Sequence, residues 1–341
     1  MRVTLIDDTI PFDGNTAQLQ PLGGAEKAFA GLAGGLGRSH HEVQVFNRCL
    51  HRLIADSATW ETWDSPRPEE TDILVAHRKP ELLGAVKVAR KRFLWMAGEA
   101  SYLEKPRNRA LLDQYKPVIV FSSRVHAESW SNPDKLRSVI VPPGMRPEYL
   151  TETLTTPTEP PHALTTIHPL HGLDWLIDLW REKIHPIAPK AQLHVYSAAL
   201  SKGVAGDPMA PAIAPILARV KAVANAGVVV KMPMADPQMA MAYREARAHL
   251  HPGFAAEIYC HTVGESQSCG LPLVARPRGA VKDRAYHGAT GFLFNDDDAY
   301  ANAVLRLLND DGTYKRLSDA ARAMQRGRRW DEAAGDFESH W

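Results

Sequence analysis

Short runs of β-branched and aliphatic residues, flanked by turn formers, recur along the chain between longer stretches with apolar residues at helical spacing. In the first half these runs predict strands over 3–6, 43–46, 73–76, 92–95, 118–121 and 139–141, and helices over 25–36, 81–89, 107–114 and 125–131. Alternation of this kind belongs to a parallel sheet with crossover helices. The texture then changes. Pro142-Pro143-Gly144, Arg146-Pro147 and the Thr- and Pro-rich stretch 151–161 hold neither a helix nor a central strand, so 146–162 reads as an interdomain linker. Strands over 164–167, 193–196, 228–230, 248–251 and 273–275 follow, with helices over 172–184, 213–224 and 237–245 and another opening near Val263. The end is mostly helical, over 298–308, 313–325 and 330–341. The expectation is an α/β chain of two Rossmann-like, doubly wound domains, 1–145 and 163–325, facing across a cleft. In such sheets ligands sit at the carboxyl ends of the strands. Leu173, Leu176, Ile177 and Trp180 fall on one helical face and read as core.

Composition narrows the function classes. The 341 residues suit two domains, and 40 Lys+Arg against 39 Asp+Glu leave a net charge of +1. That balance argues against a nucleic-acid binder driven by backbone phosphates. Hydrophobic residues at 45% and charged residues at 23% exclude disorder for most of the chain. The three cysteines, Cys49, Cys260 and Cys269, are odd in number and lack metal-ligand spacing, which argues against a disulfide framework and a cysteine zinc site and favours a reducing compartment. The start of the chain has no apolar core of signal-peptide length, so a soluble cytoplasmic protein is expected. Two basic clusters, Arg90-Lys91-Arg92 and Arg326-Gly327-Arg328-Arg329, suit either solvated loops or peripheral contact with an anionic membrane, at about 1 kcal/mol per cation.

Two segments carry candidate chemistry. Gly23-Gly24-Ala25-Glu26 stands between the first strand and its helix, where glycines let backbone amides approach an anion at a helix start; the plainer reading is a loop that needs glycine to turn. No G-x-G-x-x-G follows this strand. The second segment, 250–275, contains His251-Pro252-Gly253, then Glu257 and Glu265 eight positions apart. On one continuous helix these glutamates would lie about 80° apart. The Pro-Gly before Glu257 and Gly264 after it instead put Glu257 on a loop and Glu265 on the helix that follows. An ionised carboxylate only accepts hydrogen bonds and suits a ligand rich in hydroxyls, although solvated surface positions are the usual fate of glutamate.

The run resembles the signature of the retaining GT-B glycosyltransferases of glycosyltransferase family 4: a strand ending His-Pro, an E-x7-E pair, a Cys-Gly-x-Pro turn into a strand, and a later Gly-x-x-Gly-Phe-Leu. Here these are His251-Pro252, Glu257 and Glu265, Cys269-Gly270-Leu271-Pro272, and Gly288-Ala289-Thr290-Gly291-Phe292-Leu293. Gly23-Gly24-Ala25-Glu26, the segment Gly37-Arg38-Ser39-His40-His41-Glu42-Val43, and Val141-Pro142-Pro143-Gly144 match the family's opening and a later strand end, with Pro143 in place of Asn.

The resemblance implies a GT-B fold and transfer of a sugar from a nucleotide-diphosphate donor to an acceptor hydroxyl, with retention of anomeric configuration. It implies that Glu265 binds the donor ribose, that Glu257 lies by the donor sugar as a catalytic group, and that amides around Tyr259, Cys260 and His261 hold sugar or phosphate oxygens. Gly23 and Gly24 would approach the diphosphate, and the base would rest near Met232 and Met234. The helix over 326–341, with Trp330 and Trp341, would return to the first domain. No cofactor or metal is implied, and Asp296-Asp297-Asp298 reads as an acidic helix cap. Acceptors would be saccharides or lipid-linked saccharides. The sequence departs from the family at His171, where a Lys is expected, with Lys202 as a possible substitute, and at Ala97-Gly98-Glu99, where a His-Asp is expected. Glu99 and His77 are therefore the candidates for the acceptor side. His171 and Ala97 motivate one alternative, a catalytically silent nucleotide-sugar binder. A nicotinamide-dependent oxidoreductase is the other, and the missing glycine fingerprint speaks against it.

Overall fold

The structure, a computed structural model, describes residues 1–151, 156–325 and 328–341. It divides into two units, Met1–Arg146 with Arg328–Trp341, and Pro147–Gly327. Linker positions 152–155 and the pair Arg326 and Gly327 of the second basic cluster lie outside the described residues. Among the described residues no helix is long and apolar enough to cross a membrane.

The first unit is built on eight strands: β1 (Arg2–Ile6), β2 (Glu42–Phe46), β3 (Leu53–Ala55), β4 (Ala58–Glu61), β5 (Glu70–His77), β6 (Val88–Trp95), β7 (Val118–Phe121) and β8 (Ser138–Ile140). Their order is β3-β4-β2-β1-β5-β6-β7-β8, parallel throughout except for the β3–β4 hairpin. Val3 registers against Val43 on one side and Ile73 on the other. Both faces of the sheet are apolar, as a parallel sheet covered on both sides requires. Val3, Leu5, Val45, Val75 and Phe93 pack with the Gly24–Arg38 helix and the C-terminal Trp330–Glu338 helix, while Ile6, Leu74, Leu94 and Ile119 pack with Leu83, Leu103 and Leu112.

The C-terminal helix joins this unit through Met145 N, which donates to Arg328 O (2.8 Å), and lies on small residues of the Gly24–Arg38 helix. A Cβ at Gly31 would stand 2.2 Å from the Trp330 ring.

Local periodicity misleads over one stretch of this unit. The helix expected over 81–89 is a 3-10 turn, Pro80–Gly84, and β6 has already begun at Val88. Leu82, Leu83 and Val86 all go into the core, but the strand's first half is masked in sequence by Arg90-Lys91-Arg92. Two of those cations are turned to the protein itself. Arg92 donates to the carbonyls of Leu83, Val86, Lys87 and Ala89, and Lys91 donates to His340 O (3.2 Å).

The second unit holds β9 (His162–Thr165), β10 (Gln192–Tyr196), β11 (Val228–Lys231), β12 (Ala248–His251), β13 (Leu273–Ala275) and β14 (Gly291–Leu293), in the order β11-β10-β9-β12-β13-β14 and all parallel. Counted within the unit this is 3-2-1-4-5-6, so strand order reverses between β9 and β12. Leu173, Leu176, Ile177 and Trp180 enter the core, and Trp180 Nε1 donates to Ala226 O (2.8 Å). The stretch read as linker contains a short helix, Pro147–Leu150, whose Tyr149 is buried and donates to Asp236 Oδ1 (2.6 Å). Asp296 caps the Asp297–Asn309 helix by accepting from Ala299 N (2.8 Å), and Asp297 pairs with Arg276.

Two outcomes follow for stability. Gly31→Ala adds a methyl where a rigid indole ring already stands, so despite a gain of about 1 kcal/mol in helix propensity the variant should lose about 1–3 kcal/mol net from overpacking. Equal or higher stability in denaturant titration would mean that the helices can separate freely. In the second unit, burial pushes His249 and His194 down to about 3 and His251 to about 4, with neighbouring histidines adding to the effect. These rings are neutral in the folded chain, whereas the unfolded chain protonates them near pH 6.5. Stability is therefore fully present above pH 6.5 and falls as the pH drops toward 4. A thermal midpoint recorded across that range should decline, less steeply in His249→Asn; a flat profile would contradict the burial of these rings.

Candidate functional site

Strand order reverses between β9 and β12, the position at which such sheets form a crevice at the strands' carboxyl ends, and the segments that follow these two strands carry His171, Glu257 and Glu265. β12 ends at His251, and Pro252-Gly253 turns the chain into the loop that bears Glu257. Cys260, at φ 60, begins the His261–Ser268 helix, which carries Glu265. Glu257 is therefore a loop residue and Glu265 a helix residue.

Burial raises the Glu257 pKa, and the amides of Cys260, Tyr259 and Ile258 oppose that rise. Cys260 N donates to Glu257 Oε1 at 3.0 Å. Amides that the family resemblance reserves for the donor are thus turned onto the carboxylate of this chain. Glu265 is 5% exposed, and the hydroxyl of the buried Tyr243 stands 3.5 Å from its Oε2. Sequence reasoning missed Tyr243. It lies 22 residues earlier on a different helix, Asp236–Glu245, and no local pattern links the two.

His171, in the loop after β9, lies flat on Phe254 (centroids 3.7 Å apart, planes 3° apart) and 4.8 Å from the His168 ring. Partial burial, and then the neighbouring His168, lower its pKa, so the ring is neutral near pH 7. It can donate one hydrogen bond without bringing a charge. Lys202 is exposed on the Ala198–Ala205 helix. Met232 is exposed just beyond β11, whereas Met234 is half-buried against the Tyr149, Tyr196 and Met239 cluster. Tyr259 is buried with Arg284 4.4 Å above its ring, and His261 is partly buried beside it.

His251, Glu257 and Cys260 bring three ligand-type atoms within 4.8 Å of one another. Their hydrogen bonds do not suit a cation. Gly253 N donates to His251 Nδ1 (3.0 Å), so the ring proton sits on Nε2, which faces Cys260 Sγ at 3.5 Å. A metal at Nε2 would need that proton removed. Burial also pushes the Cys260 thiol far above its ordinary range, away from the thiolate that a metal requires.

In the first unit the strand order reverses between β1 and β5, and Asp7 and His77 meet there. His77 Nδ1 is 2.6 Å from Asp7 Oδ2, and both side chains are essentially inaccessible at 1% and 0% exposure. Burial pushes the Asp7 carboxyl up, but hydrogen bonds from His77 and Thr9 outweigh it and hold the group at about 2. Burial lowers His77, which donates as a neutral ring and stacks on Phe29. The structure therefore places this acceptor-side candidate beneath the surface with its own partner. Glu99 is exposed, at the start of the Ala100–Glu104 turn. Gly23 precedes the Gly24–Arg38 helix and Gly24 opens it, but the Glu26 carboxylate folds back over Gly23 and accepts from Arg78.

Residues 163–310 match the family model described as "Glycosyl transferases group 1". The D-inositol 3-phosphate glycosyltransferase of Xylanimonas cellulosilytica is 35% identical over 109 residues, which are 31% of this chain and 26% of that protein. The match thus spans about a quarter of that relative's length. Sucrose-phosphate synthase from Thermosynechococcus elongatus superposes with a TM-score of 0.72 at 13% identity, covering 99% of this chain and 97% of that one. HepE of Anabaena, solved with UDP-glucose, gives 0.69 at 14% identity and 99% coverage of both chains. The chain has the fold of the GT-B glycosyltransferases, and most of its second unit, residues 163–310, matches the group 1 glycosyltransferase model.

Proposed function

We propose that this chain is a retaining, metal-independent glycosyltransferase that moves a sugar from a nucleotide-diphosphate donor to an acceptor hydroxyl. The observation that carries the reading is the placement of Glu257 and Glu265 on consecutive elements at the β9/β12 reversal, within the segment that matches the family model. HepE, solved with UDP-glucose, supports a UDP-sugar as the first donor to test.

In this reading Glu265, steadied by Tyr243, accepts from the ribose hydroxyls, and Met232 and Met234 flank the base. His171 donates to the diphosphate, with Lys202 as a further cation. The bond from the anomeric carbon to the diphosphate oxygen breaks, and the acceptor oxygen bonds to that carbon on the same face. The acceptor proton passes to the departing diphosphate. Glu257 stabilises the positive charge that develops at the anomeric centre, an electrostatic task that a preorganised carboxylate performs well. Acceptor recognition falls to the first unit, where Glu99 is accessible and His77 is not. A saccharide, a lipid-linked saccharide or a polyol phosphate like that named for the Xylanimonas relative fits the class.

The test is a panel of UDP-, GDP-, dTDP- and ADP-sugars in EDTA, read by thermal shift and by release of nucleoside diphosphate. One donor should stabilise the protein and be slowly hydrolysed. Glu265→Gln should weaken its binding by about 10–100-fold, the effect of charge-assisted hydrogen bonds worth about 1.5–3 kcal/mol. Glu257→Gln should leave binding within a few-fold and lower turnover by about 100-fold or more, as removal of one preorganised charge-stabilising group does. Binding without release, with an acceptor panel supplied, would favour the silent binder that the neutral His171 motivates. No response to any donor would overturn the reading.

A further inference from the structure

The proposed reaction expels a diphosphate, whose charge calls for a cation that does not titrate near neutral pH. His171 is neutral there. Several arginines of the second unit are committed elsewhere. Arg276 pairs with Asp297 and lies 3.7 Å over the Trp175 ring, Arg284 lies over Tyr259, Arg247 donates to Leu307 O and pairs with Asp311, and Arg219 pairs with Asp178. Arg278 is exposed and, among the described residues, has no acidic partner.

Its position is set by backbone. β13 ends at Ala275, and the loop beyond it is fastened to the loop beyond β12: Arg276 N donates to His251 O (3.1 Å) and Ala280 N to Glu257 O (2.7 Å). Gly279, at φ +56, sits so close beneath that segment that a Cβ would stand 2.4 Å from Phe254 O. On its other side Arg278 abuts Gly253, where an added Cβ would be 3.1 Å from the Cβ of Arg278. The Arg278 side chain thus leaves the backbone beside Gly253, whose neighbour Phe254 carries the His171 ring.

We propose that Arg278 is the fixed cation that holds the donor diphosphate and takes up its charge as it leaves. Three loops, after β9, β12 and β13, bring His171, Glu257 and Arg278 to one strand-end crevice: a neutral donor, a carboxylate and a permanent cation. A planar guanidinium engages two phosphate oxygens through a rigid fork of parallel N–H groups, a geometry that an ammonium lacks. The assignment rests on the nucleotide-diphosphate reading above.

Calorimetric titration of the full chain in EDTA with UDP and with uridine, alongside the GDP/guanosine and ADP/adenosine pairs, tests it. Arg278→Gln should weaken diphosphate binding by about 10–100-fold, the range of a charge-assisted contact, and leave the nucleoside unchanged. Arg278→Lys should recover part of the loss. Lys282→Gln, an exposed cation on the same loop, should match the wild type. Unchanged UDP binding in Arg278→Gln, an equal loss for UDP and uridine, or an equal loss in Lys282→Gln would each overturn the assignment. Failure of the wild type to bind any of the three diphosphates would instead overturn the donor reading on which it rests.

Discussion

The segment between β12 and the His261–Ser268 helix has its carbonyls pinned from one side. Ala280 N donates to Glu257 O, and the α-carbon of Gly279 lies where a Cβ would come within 2.4 Å of Phe254 O and 2.8 Å of Glu257 O. With those carbonyls fixed, the amides of the following three residues turn toward the Glu257 carboxylate. The turn drives Cys260 into a left-handed conformation, which costs a residue with a Cβ about 1–2 kcal/mol. The Cys260 amide bond to Glu257 and the thiol contact with His251 offset that cost. The helix start, and with it Glu265, is located by the same turn. A side chain at position 279 would therefore disturb both carboxylates without touching either.

Charge at the strand ends follows from burial. His249 and His251 are too deep to protonate, and His171 is kept neutral by partial burial and by its neighbour. Glu265 is enclosed with Tyr243, and Glu257 is steadied only by backbone amides. The crevice floor thus offers acceptors and neutral donors. Such a floor suits sugar hydroxyls and is poor for a diphosphate. Positive charge has to come from the rim, where side chains are long and solvated and where sequence position says little about which end of the ligand they reach.

How much of this could be read from the sequence depends on how local the cause is. The strands through Val3, Val43, Ile73, Val118 and Leu193 each hold a run of buried β-branched and aliphatic residues, and each announces itself within a few residues. β3 and β4 do not, because only alternate residues such as Trp60 are buried and the hairpin turn is made by Asp56 and Ser57 rather than by glycine. The helix expected over 81–89 failed because Leu82, Leu83 and Val86 imitate helical spacing while Gly84 ends the turn. Within the site, the loop and helix positions of Glu257 and Glu265 follow from the Pro-Gly and Gly punctuation. The depth of His77 does not, since its partner Asp7 stands 70 residues away, just beyond the end of the neighbouring strand β1. Tyr243 and Arg278 were invisible for the same reason: what makes them relevant is a contact that exists only in the folded chain.

The two sheets use their reversal points differently. In the second unit the segments that follow the reversal carry the partly exposed His171 and Glu257. In the first it is closed by the Asp7–His77 pair under Phe29 and Trp95. A buried pair of this kind is weak evidence of added stability, because desolvation offsets most of the attraction. Its clearest consequence is positional. Arg78, next in the chain, is held in a left-handed conformation with its carbonyl accepting from the Tyr102 hydroxyl and its guanidinium donating to Glu26. Glu26 in turn folds over Gly23 at the start of the Gly24–Arg38 helix. The first glycine of the pair therefore faces a carboxylate of its own chain, and the clasp that closes this helix start is anchored by Arg78 beside the buried pair.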